Sequence, residues 1–174
     1  MVQGIYDTSG LGGLELNTDA TSDELDRVCD VSTRLVTLTG SVSITQATHS
    51  DRILLMGAAG AALTFTLPAA TGSGARFKFV VSVVNTSNYI IKVADASDTI
   101  DGNIITNSTG DTPDLAQPWP TAATDDTITL NGTTTGGVAI GDFVELIDIL
   151  ADQYVVFGVT TTSGVEATPF SATV

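Results

Sequence analysis

The sequence predicts an all-β protein, a single β-sandwich or jelly-roll-like domain preceded by an extended N-terminal arm. Three observations carry that expectation. Threonine, valine and isoleucine are abundant, and β-branched side chains suit the pleated, half-buried surface of a sheet. Short apolar runs recur about every ten residues between Gly, Asn, Asp and Ser clusters, the spacing of a sandwich or barrel. No long segment carries helical periodicity.

Taken in order, residues 1–30 read as the arm. Residues 1–20 are rich in Gly and Asp, with little pattern beyond Leu11, Leu14 and Leu16, three candidate interface contacts. Thr21-Ser22-Asp23-Glu24 has the form of a capping box, so one or two helical turns are expected there, with Leu25, Val28 and Cys29 on one face. Residues 31–174 form the β domain. Strands are expected at Val31–Leu38, Val42–Gln46, Arg52–Met56, Leu63–Leu67, Arg76–Val84, Tyr89–Val93 and Thr99–Ile105, then at Thr127–Leu130, Phe143–Leu150 and Tyr154–Val159.

Two hairpins follow from turn chemistry. Asn131-Gly132 after Thr127–Leu130 fits a type I′ turn leading into Thr133-Thr134-Thr135. Ala151-Asp152-Gln153 is a tight reversal between the last two strands. Phe143, Glu145, Ile147 and Ile149 interleave with Val144, Leu146 and Asp148, an imperfect alternation that predicts one face on the core and the other partly against a neighbour. Residues 106–124, with Pro113, Pro118 and Pro120 around Trp119, read as a long ordered loop that grips a partner. Trp119 is therefore a candidate interface residue, as is Phe170 near the C-terminal apolar stretch.

Charge excludes whole classes of partner. Six Lys+Arg against 20 Asp+Glu give −14 at pH 7, a field that repels phosphate backbones and anionic membranes. The basic residues are scattered along the chain, so neither nucleic acid nor membrane is an expected partner. No apolar run approaches the roughly 20 residues that cross a bilayer, and no basic-then-apolar secretory leader opens the sequence. One cysteine, Cys29, rules out an internal disulfide framework. The hydrophobic fraction of 43% is high for 174 residues, which points to subunit interfaces and a homo-oligomer.

Candidate chemistry is thin. His49, in Thr48-His49-Ser50-Asp51-Arg52, lacks the surroundings of a nucleophile triad and reads as a turn histidine. Glu145 and Asp148 are a carboxylate pair, but odd spacing puts them on opposite faces of one strand. The segment 95–103 offers Asp95, Asp98 and Asp101 beside Gly102, hard oxygen ligands suited to Ca²⁺. Its spacing is not that of an EF-hand, and Asp and Asn also dominate turns for their own backbone bonds, so the turn reading outweighs the metal. Asn85, Asn107 and Asn131 open sequons in a threonine-rich chain where such triplets arise by chance. Tyr6, Tyr89, Tyr154 and Trp119 are a sugar-stacking alternative to plain core packing. The expectation is a non-enzymatic protein without cofactor.

One block carries a resemblance. Thr64-Phe65-Thr66-Leu67-Pro68-Ala69-Ala70-Thr71-Gly72-Ser73-Gly74-Ala75-Arg76-Phe77 resembles a segment of small virion proteins of tailed phages. The stretches 126–137 and 167–171 are of the same type, and the likeness runs from about Val31 onward, leaving the first 30 residues outside it. Physically the block is strand, turn, strand: Pro68 ends a ladder, and Gly72 and Gly74 permit turn angles closed to other residues. The resemblance implies a head decoration (cement) protein, commonly a β-sandwich or jelly-roll trimer on the outer capsid surface, bound to the major capsid protein between capsomers. A tail or baseplate-associated module binding a receptor or carbohydrate is the alternative. No sequence period supports a fibre.

Overall fold

Period-two alternation builds both sheets. In the computed structural model, residues 34–110 and 116–174 are described, and the arm, with Leu11, Leu14, Leu16 and the capping-box segment, lies outside them. Among the described residues, twelve strands and one short helix follow in order: β1 (Leu35–Leu38), β2 (Val42–Ser43), α1 (Gln46–His49), β3 (Arg52–Met56), β4 (Leu63–Thr66), β5 (Arg76–Val81), β6 (Tyr89–Lys92), β7 (Thr99–Ser108), β8 (Ala116–Pro120), β9 (Thr127–Leu130), β10 (Phe143–Leu150), β11 (Gln153–Thr162) and β12 (Phe170–Ser171). The described residues are nearly all β, as expected.

The strands fall into a seven-stranded sheet, β1-β3-β5-β10-β11-β7-β8, and a five-stranded sheet, β12-β9-β6-β4-β2. From β1 to β6 the chain alternates between the two sheets, and each strand lies parallel to the previous one in its sheet. Residues 35–92 therefore wind as three turns of a flattened coil. The turns differ in length: Leu35 pairs with Ile53, Val42 with Phe65, Arg52 with Phe77 and Leu63 with Tyr89. An antiparallel jelly roll has no such ladders; β7 and β11 add a fifth parallel pairing. β10 then fills the larger sheet antiparallel to both β5 and β11.

The sheets meet through one apolar core. Phe77, Phe79 and Val81 from β5 and Val144 and Leu146 from β10 are fully buried, facing Phe65, Tyr89, Ile91 and Ile128 of the smaller sheet. Phe65 stacks on Phe79 with ring centroids 5.6 Å apart. The Tyr89 hydroxyl accepts from the Ala58 N–H at 3.2 Å and lies 2.7 Å from the Val83 carbonyl, so its polar end is satisfied inside.

Three local expectations are corrected. The run Val42–Gln46 is a strand only to Ser43, because Thr45 accepts from the Thr48 N–H and caps α1. Asn131-Gly132 forms no hairpin: the Asn131 side chain accepts from the Thr133 and Thr135 N–H groups, and Gly132 donates to the Gly136 carbonyl, closing a loop with no return strand. Only Gly132 has positive φ there, so the I′ condition on both turn residues fails. Residues 106–124 are not one loop, since β7 continues to Ser108 and β8 pairs antiparallel with it. Pro118 and Pro120 sit two apart on this edge strand, which places both missing donors on the side with no neighbour. The β10–β11 hairpin is present, with Asp152 at φ 63 in its turn.

Candidate functional site

The block Thr64–Phe77 wraps a buried carboxylate. On β10 the inward positions are Val144, Leu146 and Asp148, and all three are fully buried. A carboxylate in a core position costs several kcal/mol unless hydrogen bonds replace its water. The turn 71–73 supplies them. Asp148 Oδ1 accepts from the Thr71 N–H at 3.0 Å and the Gly72 N–H at 2.6 Å. Oδ2 accepts from the Ser73 N–H at 3.1 Å and from the hydroxyls of Thr71 and Ser73 at 3.1 and 2.6 Å. Gly72 and Gly74 adopt φ +74 and +75, as the turn reading expects. Burial raises the Asp148 pKa, but the Ser73 hydroxyl and the Gly72, Ser73 and Thr71 N–H groups outweigh it and hold the pKa below the ordinary carboxylate value.

The neighbouring groups belong to the same corner. Asp98 is also buried and accepts only weakly, from the Ala70 N–H at 3.3 Å. Burial raises its pKa; the Ala70 N–H offsets part of this, while Asp95, Asp152 and Asp148 add repulsion. Tyr154 donates to the Pro68 carbonyl at 2.8 Å, and burial, with the charges of Asp148 and Asp98, raises its pKa far above the normal phenol.

The same device recurs elsewhere. Asp142 accepts from the N–H groups of Gly137 and Thr161 and from the Thr161 hydroxyl, tying loop 137–141 to β11. Asp126 accepts from the N–H groups of Thr173 and Val174 and holds residues 173–174 against β9. Burial raises the Asp126 pKa, and the Thr173 N–H with the other donors brings it below normal. Asp125 takes the Ala122 N–H at 2.7 Å. Five buried aspartates thus serve as internal clamps, so part of the −14 charge lies inside the fold.

The candidate Ca²⁺ loop, which the turn reading outweighed, is not assembled. Asp95 is exposed and accepts from Ser97, Asp98 points inward to Ala70, and Asp101 pairs with the Gln153 side chain. Among the described residues, no three His, Cys, Asp or Glu side chains come together as a metal group. His49 Nδ1 accepts from the Thr45 N–H at 3.0 Å, which puts the ring proton on Nε2. Burial lowers its pKa, so the ring is a neutral structural group on α1. Glu145 and Asp148 lie on opposite faces, as expected, and Glu145 forms an ion pair with Arg76.

The interface candidates divide. Phe170 is 6% exposed and packs in the core, with β12 paired to β9. The sequence reading of it as an intermolecular contact is corrected: its apolar surface is covered by its own chain. Trp119 is half-buried against the core, and its Nε1 is buried without a hydrogen-bond partner among the described residues. Tyr89 and Tyr154 are buried, which removes them from any sugar-stacking platform.

The alternation of β10 predicted a face partly against a neighbour, and the groove on that outer face of the larger sheet is what it did not indicate. A groove of about 350 Å³ there is lined by Asp51, Arg52, Ile53, Arg76, Lys78 and Glu145, gathering three cations of an otherwise acidic chain. Lys78 lies 4.5 Å from the Phe143 ring centroid, and Phe143 is 6.2 Å from Phe157. The alternation along β10 was the available signal, since Phe143, Ile147 and Ile149 share the face away from the core with Glu145. No family model, curated protein or solved structure matches the chain.

Proposed function

We propose that this chain is a non-enzymatic structural protein of a tailed-phage particle, an outer capsid decoration protein that binds the major capsid protein between capsomers and stabilises the head. The observation that carries the reading is the Asp148 clamp. The block that resembles phage virion proteins folds around this carboxylate, and its N–H groups are directed to the protein's own core. Clamps of this kind stiffen loops on a β body, which suits a cement protein. Such a protein acts by mass action, binding the assembled shell in preference to loose subunits. The acidic exterior supports placement outside the shell, away from packaged DNA.

Particles lacking the protein provide the test. Added protein should co-sediment with them and raise the temperature at which they release DNA. Particles that neither bind it nor gain heat resistance would contradict the reading.

A second reading keeps one specific support. The three parallel turns of residues 35–92 are the start of a β-coil architecture, and Phe157 stands half exposed beside Phe143. Both features fit a tail or baseplate-associated carbohydrate-binding module. Retention on surface polysaccharide of the host, with no binding to heads, would favour it.

A further inference from the structure

We infer that the outer face of the seven-stranded sheet is the surface on which a second copy of this chain packs. The inference deepens the oligomeric part of the virion reading and rests on that reading only for where the assembly works. Strand register lines up the apolar side chains. Leu55 pairs with Val80, Val80 with Phe143, Phe143 with Val159, Val159 with Ile105, and Ile105 with Pro118. These six form one row straight across the sheet, perpendicular to the strands. In the next row, Ile53, Lys78, Glu145 and Phe157 are paired in turn, and Ile53 and Phe157 are 38% and 50% exposed.

Area and charge both favour a second copy as the occupant. Strands about 4.8 Å apart and residues about 3.3 Å apart give this face about 30 by 20 Å, or about 600 Å². Two such faces bury about 1,200 Å², the lower bound of a specific interface. The charges are arranged by side. To one side of β10 lie Lys78 and Arg76 of β5, with Arg76 paired to Glu145 and Asp51 lining the same groove, while β7 on the other side offers Asp101 and no cation. Setting the β3–β5 side of one copy over the β7 side of its neighbour brings Lys78 toward Asp101 of the neighbour and keeps the apolar row on itself. A twofold pair satisfies that arrangement, because the same face meets itself, and sheets packed face to face take such an aligned geometry.

Sedimentation of the full chain over a range of concentrations tests it. Wild type should sediment as an oligomer. Val159→Asp, in the middle of the row, should raise the apparent dissociation constant at least about 100-fold, with the β circular dichroism retained. Val165→Asp, at a residue 81% exposed and outside the paired strands, should leave assembly unchanged. If Val159→Asp fails to fold, Phe157→Ser decides, because that side chain is half exposed. Lys78→Glu and Asp101→Lys should each weaken association, and the double variant should recover part of it. A monomeric wild type, or an oligomer indifferent to Val159→Asp and Phe157→Ser, overturns the inference. Particle binding by a monomeric wild type would leave the virion reading standing.

Discussion

The Gly72 N–H donates to Asp148 Oδ1 at 2.6 Å, joining the turn after β4 to the middle of the larger sheet across 76 residues of chain. The turn 71–73 exists in its shape because Asp148 is charged and dry, and Asp148 stays charged because the turn surrounds it.

Removing that carboxylate should therefore cost more than a typical substitution. Asp148→Ala leaves the N–H groups of Thr71, Gly72 and Ser73 without their acceptor, a loss of about 3–5 kcal/mol. Asp148→Asn keeps the shape but turns a donor toward donors and should recover little. Urea unfolding of both variants measures this. A loss below about 1 kcal/mol in Asp148→Ala would show that water replaces the carboxylate freely.

Acid should act on stability in two opposite directions. Asp98 has a raised pKa, so its contribution grows as pH falls through that pKa and is complete below the unfolded value of about 3.9. Asp148 and Asp126 have lowered pKa values, so their contribution is present above about 3.9 and is lost as pH falls through their folded values. Stability should peak in mild acid and fall steeply in strong acid. Asp98→Asn should flatten the rise below neutrality while leaving the acid limb. A melting series from pH 7 to pH 2 in both proteins checks the signs.

Phe170 offers a sharp check on the core. Phe170→Asp places a charge at a 6% exposed site and breaks the pairing of Phe170 with Ile128, a cost of about 3–5 kcal/mol. The variant should melt at lower temperature whatever its state of assembly. A stable Phe170→Asp protein would mean that β12 is peripheral.

Chelation should change nothing in the described β unit. Asp95, Asp98 and Asp101 each bond to a different protein partner, so EDTA should leave Tm unchanged in calcium-containing buffer. A lower Tm with EDTA would revive the calcium loop.

Much of the fold was legible because local alternation survives burial. Arg52–Met56, Thr127–Leu130 and Phe143–Leu150 have the bounds their sequence patterns indicate. What stayed hidden is non-local. The coil of β1 to β6 leaves no sequence period, since its turns vary in length between Leu35/Ile53 and Leu63/Tyr89. β8 was hidden by Pro118 and Pro120, residues that argue against a strand unless it lies at an edge. Asp148 gave a readable signal that was read only as half of a carboxylate pair. It shares the inward parity of Val144 and Leu146, which marks a buried charge in need of donors.

The most direct test of the proposed decoration role is electron microscopy of purified tailed-phage particles whose genome carries this sequence, labelled with an antibody against this protein. Label spread evenly over the head is the expected result. Label confined to the tail tip, or none on intact particles, would contradict the decoration role.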